Sequence, residues 1–168
     1  MNTDNKMMPE RSDRNRFLDE GLRLDDFRDE FLVVCPKCRG MARVIPAETG
    51  PGNLNVQMFS PRKLVCLGCL QRETWTGKQI LTGSNVDWYF RLPLWLQVSC
   101  CGELLWAYNF AHLDIIEQYV SAKLRERTKK GRNSFLSKMP AWLKLAKNRA
   151  EILKAIGKLR TAVERKAF

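Results

Sequence analysis

Two Cys-x-x-Cys pairs, Cys35-Pro-Lys-Cys38 and Cys66-Leu-Gly-Cys69, stand 27 residues apart and constrain the fold of this chain more than any other feature. One such pair alone suits a redox dithiol, half of a metal site or half of a disulfide framework. Here FLVV runs into Cys35, ARVIP leaves Cys38 and QMFSPRKLV leads to Cys66, so both pairs lie among β-formers and turn signals. That setting suits two knuckles between strands, each presenting two thiolates from one side, which together make a tetrahedral four-cysteine site for one structural Zn2+. Thioredoxin-like chemistry would instead place one pair at a helix N-terminus after a strand, and any single cysteine can simply be a buried small hydrophobe. The spacer exceeds the most compact four-cysteine pattern, and the excess includes the Gly-Pro-Gly-Asn loop at 50–53.

A site of four thiolates is closed. It contributes folding energy and leaves no position open for substrate or an activated water. With four thiolates the ion carries a formal charge of about −2, so Lys37, Arg39, Arg62, Lys63 and Arg72 are expected to neutralise it rather than to bind phosphate. Cys100 and Cys101 fall outside this arrangement. Adjacent strand residues point to opposite faces, so the two would share one metal only if the chain turns at Gly102. The single histidine, His112, could join them with Asp114, although a buried thiol plus a turn, and a helix-start histidine, are the plainer expectations.

The fold class expected is α+β: a four-cysteine zinc-ribbon-containing β module followed by basic C-terminal helices. Residues 1–30 form an acidic, partly disordered arm, 31–110 the β module and 111–168 a helical segment packed on it. Within the arm, FLDEGLRLDDFRDEFL suits a short amphipathic helix or an extended arm that folds back on the basic tail or docks a partner. In DWYFRLPLWLQV, at 87–98, the even positions from Trp88 to Val98 alternate as a core face, while Tyr89, Arg91, Trp95 and Gln97 share the other, and Pro93 suggests an edge or a strand break there. A helix is expected at roughly 112–127, with Leu113, Ile116, Tyr119, Val120 and Leu124 as its apolar stripe and KKGRN ending it. Another start follows at SKMPAWLKLAK, and an Asn148–Glu151 capping box opens a final helix. In the final helix Ile152, Ile156, Leu159 and Val163 are the buried stripe, and Lys154, Lys158, Arg160, Arg165 and Lys166 are left for solvent or a partner.

Charge is distributed unevenly. Residues 1–34 carry 6 basic and 9 acidic side chains, residues 35–110 carry 8 and 4, and residues 111–168 carry 15 and 5, out of a net +11. Such a field favours polyanions, nucleic acid first. Lys123, Arg125, Arg127, Lys129, Lys130 and Arg132 form one candidate phosphate-contacting cluster, and Lys144, Lys147, Arg149, Lys154 and Lys158 another. Tyr89, Arg91 and Trp95 could stack and read bases, against the plainer expectation that Tyr89 and Trp95 pack under the helices.

Together with DWYFRLPLWLQ, Cys-Cys-Gly, LLWAYN and the two basic helices, the cysteine motifs resemble short bacterial TFIIB-type zinc-ribbon proteins, some loosely labelled as relatives of the replication-restart helicase. The resemblance covers most of the chain beyond residue 30 and implies a zinc-ribbon module and nucleic-acid work. No Gly-x-x-x-x-Gly-Lys-Ser/Thr loop occurs, so ATP-driven unwinding has no support.

Nucleic-acid binding, DNA or RNA, is therefore the leading expectation. The second is a protein adaptor in a larger complex, docking through the ribbon or the acidic arm. An enzyme is not expected: one histidine, no nucleophile motif and a closed metal site assemble no acid, base and nucleophile, and no small-molecule substrate is implied. With no apolar run near the length of a membrane span and no leader-like N-terminus, the chain is expected to be cytoplasmic, where thiols stay reduced, and without a membrane partner.

Overall fold

The structure, a computed structural model, describes residues 16–48 and 57–164, with side chains through 162. The expected disorder before residue 16, the loop at 50–53, and Val163, Arg165 and Lys166 as helix-face positions lie outside what is described. The chain is mixed α and β. Strands β1 (Arg16–Asp19), β2 (Phe31–Val34), β3 (Met41–Pro46), β4 (Arg62–Val65), β5 (Arg72–Trp75), β6 (Leu96–Cys100) and β7 (Glu103–Ala107) precede helix α1 (Phe110–Ser121). Strand β8 (Leu124–Arg127), the single turn α2 (Ala141–Lys144) and helix α3 (Arg149–Glu164) follow.

Four strands make an antiparallel sheet in the order β2-β3-β4-β5, pairing Phe31 with Val44, Val44 with Leu64 and Leu64 with Glu73. Strands β2 and β4 both run toward their cysteine pairs, so both hairpin tips lie at one end of the sheet. Strand β2 is buried from Phe31 to Val33 because its outer edge is also covered. Val34 N–H donates to the Pro93 carbonyl and Trp95 N–H to that of Leu32, so the segment around Leu94 closes the edge. Pro93 supplies only a carbonyl there, which is the one ladder role a proline retains.

The alternation at 87–98 does not become one strand. Asp87, fully buried, accepts the N–H groups of Tyr89 (2.9 Å) and Phe90 (2.8 Å) through Oδ1 and of Leu92 (2.7 Å) through Oδ2, winding the chain into a loop with Arg91 at φ +59°. Regular strand begins only at Leu96. The core-parity residues Trp88, Leu94 and Leu96 are nonetheless buried, with Trp88 Nε1 donating to the Tyr108 hydroxyl at 2.9 Å.

Helix α1 is shorter than its sequence suggests. It opens on Asn109, whose Oδ1 accepts the His112 N–H (2.9 Å) while its Nδ2 donates to the carbonyls of Phe27 (2.9 Å) and Glu30 (2.8 Å). It ends at Ser121, where Arg125 and Arg149 take up the carbonyls of Tyr119, Val120 and Ala122. Residues 124–127 then become β8, paired in parallel with β1 from Arg16↔Leu124 to Asp19↔Arg127. Leu124, expected in the buried stripe, is half exposed.

The N-terminal segment therefore folds back as an extended strand and a 3-10 turn at Leu24–Phe27. The ion pair between β1 and β8 runs opposite to acid-on-base, with Arg16 gripping the Glu126 carboxylate at 2.9 and 3.0 Å. Buried Asp19 accepts hydrogen bonds from the Gly21 N–H and the Ser134 hydroxyl. Gly131 is required beside it, since a Cβ there would lie 2.6 Å from the Asp19 carbonyl oxygen.

Helix α3 buries Ile152, Ala155, Ile156 and Leu159 against α1 and β6, as its stripe predicts. The capping box does not form. Asn148 donates instead to the Trp142 carbonyl, and Glu151 accepts the Cys101 N–H.

Candidate metal centre and basic surface

Each hairpin tip folds into the same knuckle. In the first, Cys35 N–H donates to the Gly40 carbonyl (2.7 Å) and Arg39 N–H to that of Cys35 (3.0 Å). In the second, Cys66 N–H donates to the Gln71 carbonyl at 3.0 Å. Arg39 and Leu70, each one residue past its second cysteine, both adopt positive φ, +62° and +60°. This left-handed residue turns the chain back into the next strand, and for a side chain other than Gly or Asn it costs roughly 1 kcal/mol. Two such costs at matched positions are offset where the knuckles are needed to aim sulfur.

The four Sγ atoms of Cys35, Cys38, Cys66 and Cys69 all lie within 4.8 Å of one another, with Cys35–Cys69 and Cys38–Cys66 at 3.6 Å. For metal–sulfur bonds of about 2.3 Å, a tetrahedron has sulfur–sulfur edges of about 3.8 Å, so the donor set fits one tetrahedral thiophilic ion. Cys35 and Cys66 are buried, whereas Cys38 is exposed and Cys69 half exposed, which places the centre at the sheet end with one side toward solvent. Burial raises the Cys35 thiol, but the N–H groups of Cys38 and Lys37 and the thiols of Cys69 and Cys66 outweigh it and bring it down to about 7. The Gln71 N–H lowers Cys69, yet burial and the three neighbouring thiols push it up to about 11.

Of the cations expected to neutralise such a centre, Lys37, Arg39, Lys63 and Arg72 are exposed. Arg62 is not among them. It is buried, donates to the carbonyls of Arg28 (2.9 Å) and Gln57 (3.1 Å), and lies 4.5 Å from the centre of the Tyr89 ring. Tyr89 is correspondingly 4 % exposed and wedged against Trp75 and Phe31, so its ring presents no face to a base. Trp95 is half-buried, and Arg91 is exposed.

The basic residues divide into two groups. Arg125 donates to the carbonyls of Tyr119 (2.8 Å), Val120 (3.3 Å) and Lys144 (2.9 Å) and lies over the Tyr119 ring. Arg149 donates to those of Val120 (2.9 Å) and Ala122 (3.1 Å), Lys144 to that of Ser137 (2.8 Å), and Arg160 pairs with Asp114 and Glu117. These four tie the helices together. Lys123, Arg127, Lys129, Lys130, Arg132, Lys147, Lys154 and Lys158 are exposed. The helix-ending role of the two arginines is a functional assignment that charge counting misses. Its only sequence signal is their position just past a helix lacking a glycine stop.

His112 sits in another place altogether from Cys100 and Cys101. It lines a cavity of about 690 Å³ with Trp88, Trp106, Phe135 and Trp142. Its Nδ1 accepts the Tyr108 N–H at 3.2 Å, which fixes the proton on Nε2, and burial pushes its pKa down to about 3. Asp114 turns to Arg160 instead.

Compared with protein-family models, curated proteins and solved structures, the chain matches none. No helix among the described residues is long and apolar enough to cross a membrane.

Proposed function

We propose that the chain is a zinc-ribbon protein whose four knuckle cysteines hold one structural Zn2+ and whose basic surface binds nucleic acid through its phosphates. The choice of zinc follows from the donors: four thiolates in tetrahedral array suit a borderline-soft ion with no geometric demand of its own, and such a closed set serves folding. Reduced cysteines in a chain with an ample core support the metal over disulfides.

One observation carries the nucleic-acid reading. After Arg125, Lys144, Arg149 and Arg160 are committed to internal partners, the run Lys123, Arg127, Lys129, Lys130 and Arg132 and the face of Lys154 and Lys158 are still exposed. Long flexible cations facing solvent form phosphate contacts and release counterions, which gives affinity without sequence choice. Base stacking is confined in this reading to Trp95 and Arg91.

The test is affinity for a short duplex and for single strands as a function of salt. Each duplex phosphate neutralised adds about 0.9 to the slope of log K against log salt, so K129A/K130A/R132A should flatten that slope by roughly 2 to 3. Absence of binding at low salt defeats the proposal.

A second reading, a protein adaptor, is favoured by a different observation. Leu67 and Leu70, at the tip of the second knuckle, are 77 % and 74 % exposed. In that case L67S/L70S abolishes assembly with the partner complex and leaves nucleic-acid affinity unchanged.

A further inference from the structure

Cys100 ends β6 and Cys101 begins a two-residue hairpin loop, with Cys100 paired to Glu103 across the turn. The central residues, Cys101 and Gly102, have φ of +55° and +76°, the pattern of a type I′ turn, which ordinarily calls for Asn, Asp or Gly at both positions. A cysteine in the left-handed region is strained, as Arg39, Leu70 and Arg91 are in their own turns.

The turn has a geometric result. In regular strand the two thiols would point to opposite faces, but the left-handed residue swings Cys101 round so that its Sγ lies 3.5 Å from that of Cys100. Helix α3 brings a third donor. The Glu151 carboxylate lies within 4.8 Å of both sulfurs, and its Oε1 accepts the Cys101 N–H at 2.8 Å, which fixes the carboxylate over the dithiol. Cys100 is buried and Cys101 half exposed, so the group has one open side.

We propose that Cys100, Cys101 and Glu151 form a second, open cation site for a thiophilic divalent ion of the Zn2+ or Cd2+ kind. Two sulfurs exclude Mg2+ and Ca2+, which take oxygen donors. Two thiolates and a carboxylate leave the bound ion with one net negative charge and a fourth position free, in contrast to the closed centre at the knuckles. Lys158, on the same helix and within electrostatic reach of Cys100, offsets that charge. The site joins the β6–β7 turn to the first turn of α3, the helix that carries Lys154 and Lys158, so an ion held there clamps this part of the basic surface to the sheet.

The experiment is titration of the reduced 168-residue chain with Cd2+, followed by the sulfur-to-metal charge-transfer absorption and by bound metal per chain. Wild type is expected to take up two equivalents, and C100S/C101S one, with the absorbance falling in proportion from six thiolates to four. Cys101→Gly suits the positive φ better than cysteine does, so it folds at least as well and should still lose the second equivalent. Glu151→Gln should keep the knuckle equivalent intact and weaken the second at least tenfold. One equivalent in wild type, or a second equivalent undiminished in C101G and E151Q, overturns the proposal.

Discussion

At the scale of single residues, the same chemistry serves opposite ends depending on what lies within reach. Arg149 and Lys130 are equal in a charge count, yet Arg149 closes the carbonyl end of α1 while Lys130 faces water. Arg149→Lys keeps the charge and loses the planar fork, so it should cost roughly 1 to 2 kcal/mol in urea unfolding and leave nucleic-acid affinity unchanged. Asn109 caps α1 and holds two carbonyls of the N-terminal segment, and Asn109→Ala should cost roughly 2 to 3 kcal/mol. His112 gives a pH signature. Its ring is enclosed by Phe27, Phe135, Trp106 and Tyr108, and burial lowers its pKa from the ordinary 6.5 to about 3. Between those values the unfolded chain binds the extra proton, so the His112 contribution is complete above 6.5 and is lost as pH falls toward 3. From pH 6.5 to 5 the wild type should lose roughly 1.5 kcal/mol more than His112→Gln, which has no such proton to bind. Equal slopes in the two proteins would contradict the buried neutral ring.

At the scale of elements, local pattern predicts what local forces decide. The knuckles, the strands feeding them and the Ile152, Ile156 and Leu159 stripe were readable because each rests on spacing within a few residues. Three features were not. The end of α1 depends on Arg149, 28 positions beyond Ser121, and the strand that follows depends on β1 at the far end of the chain. The alternation at 87–98 mimics a strand because Trp88, Leu94 and Leu96 do face the core, while the loop itself is dictated by the Asp87 carboxylate. Removing that carboxylate in Asp87→Ala orphans three N–H groups and should cost roughly 3 kcal/mol, seen as a lower urea midpoint. A neutral effect would mean that the loop is held by packing alone. Tyr89 belongs to the same lesson: it is buried, as the plainer expectation had it, but against Phe31, Trp75 and Arg62 from the sheet side.

At the scale of the whole molecule, the sheet, the helices and the N-terminal segment share one core. Phe27 stacks on His112, Phe31 packs on Trp88, and Leu143 and Ile152 join the same buried set. The basic surface is thus carried on elements whose positions depend on the β2–β5 sheet, and that sheet depends at its open end on the two knuckles. Of the candidate site, the four cysteines were legible in the sequence, while the division of the cations into structural and free could be seen only once their carbonyl partners were placed. In the function proposed above, four thiolates on one zinc ion hold this arrangement. The measurement that tests it most directly is zinc content and X-ray absorption of the C100S/C101S chain, in which only the knuckle cysteines remain. About one zinc per chain with an all-sulfur shell of four neighbours at about 2.3 Å is the predicted result. A folded, metal-free chain whose four remaining thiols react freely would contradict it.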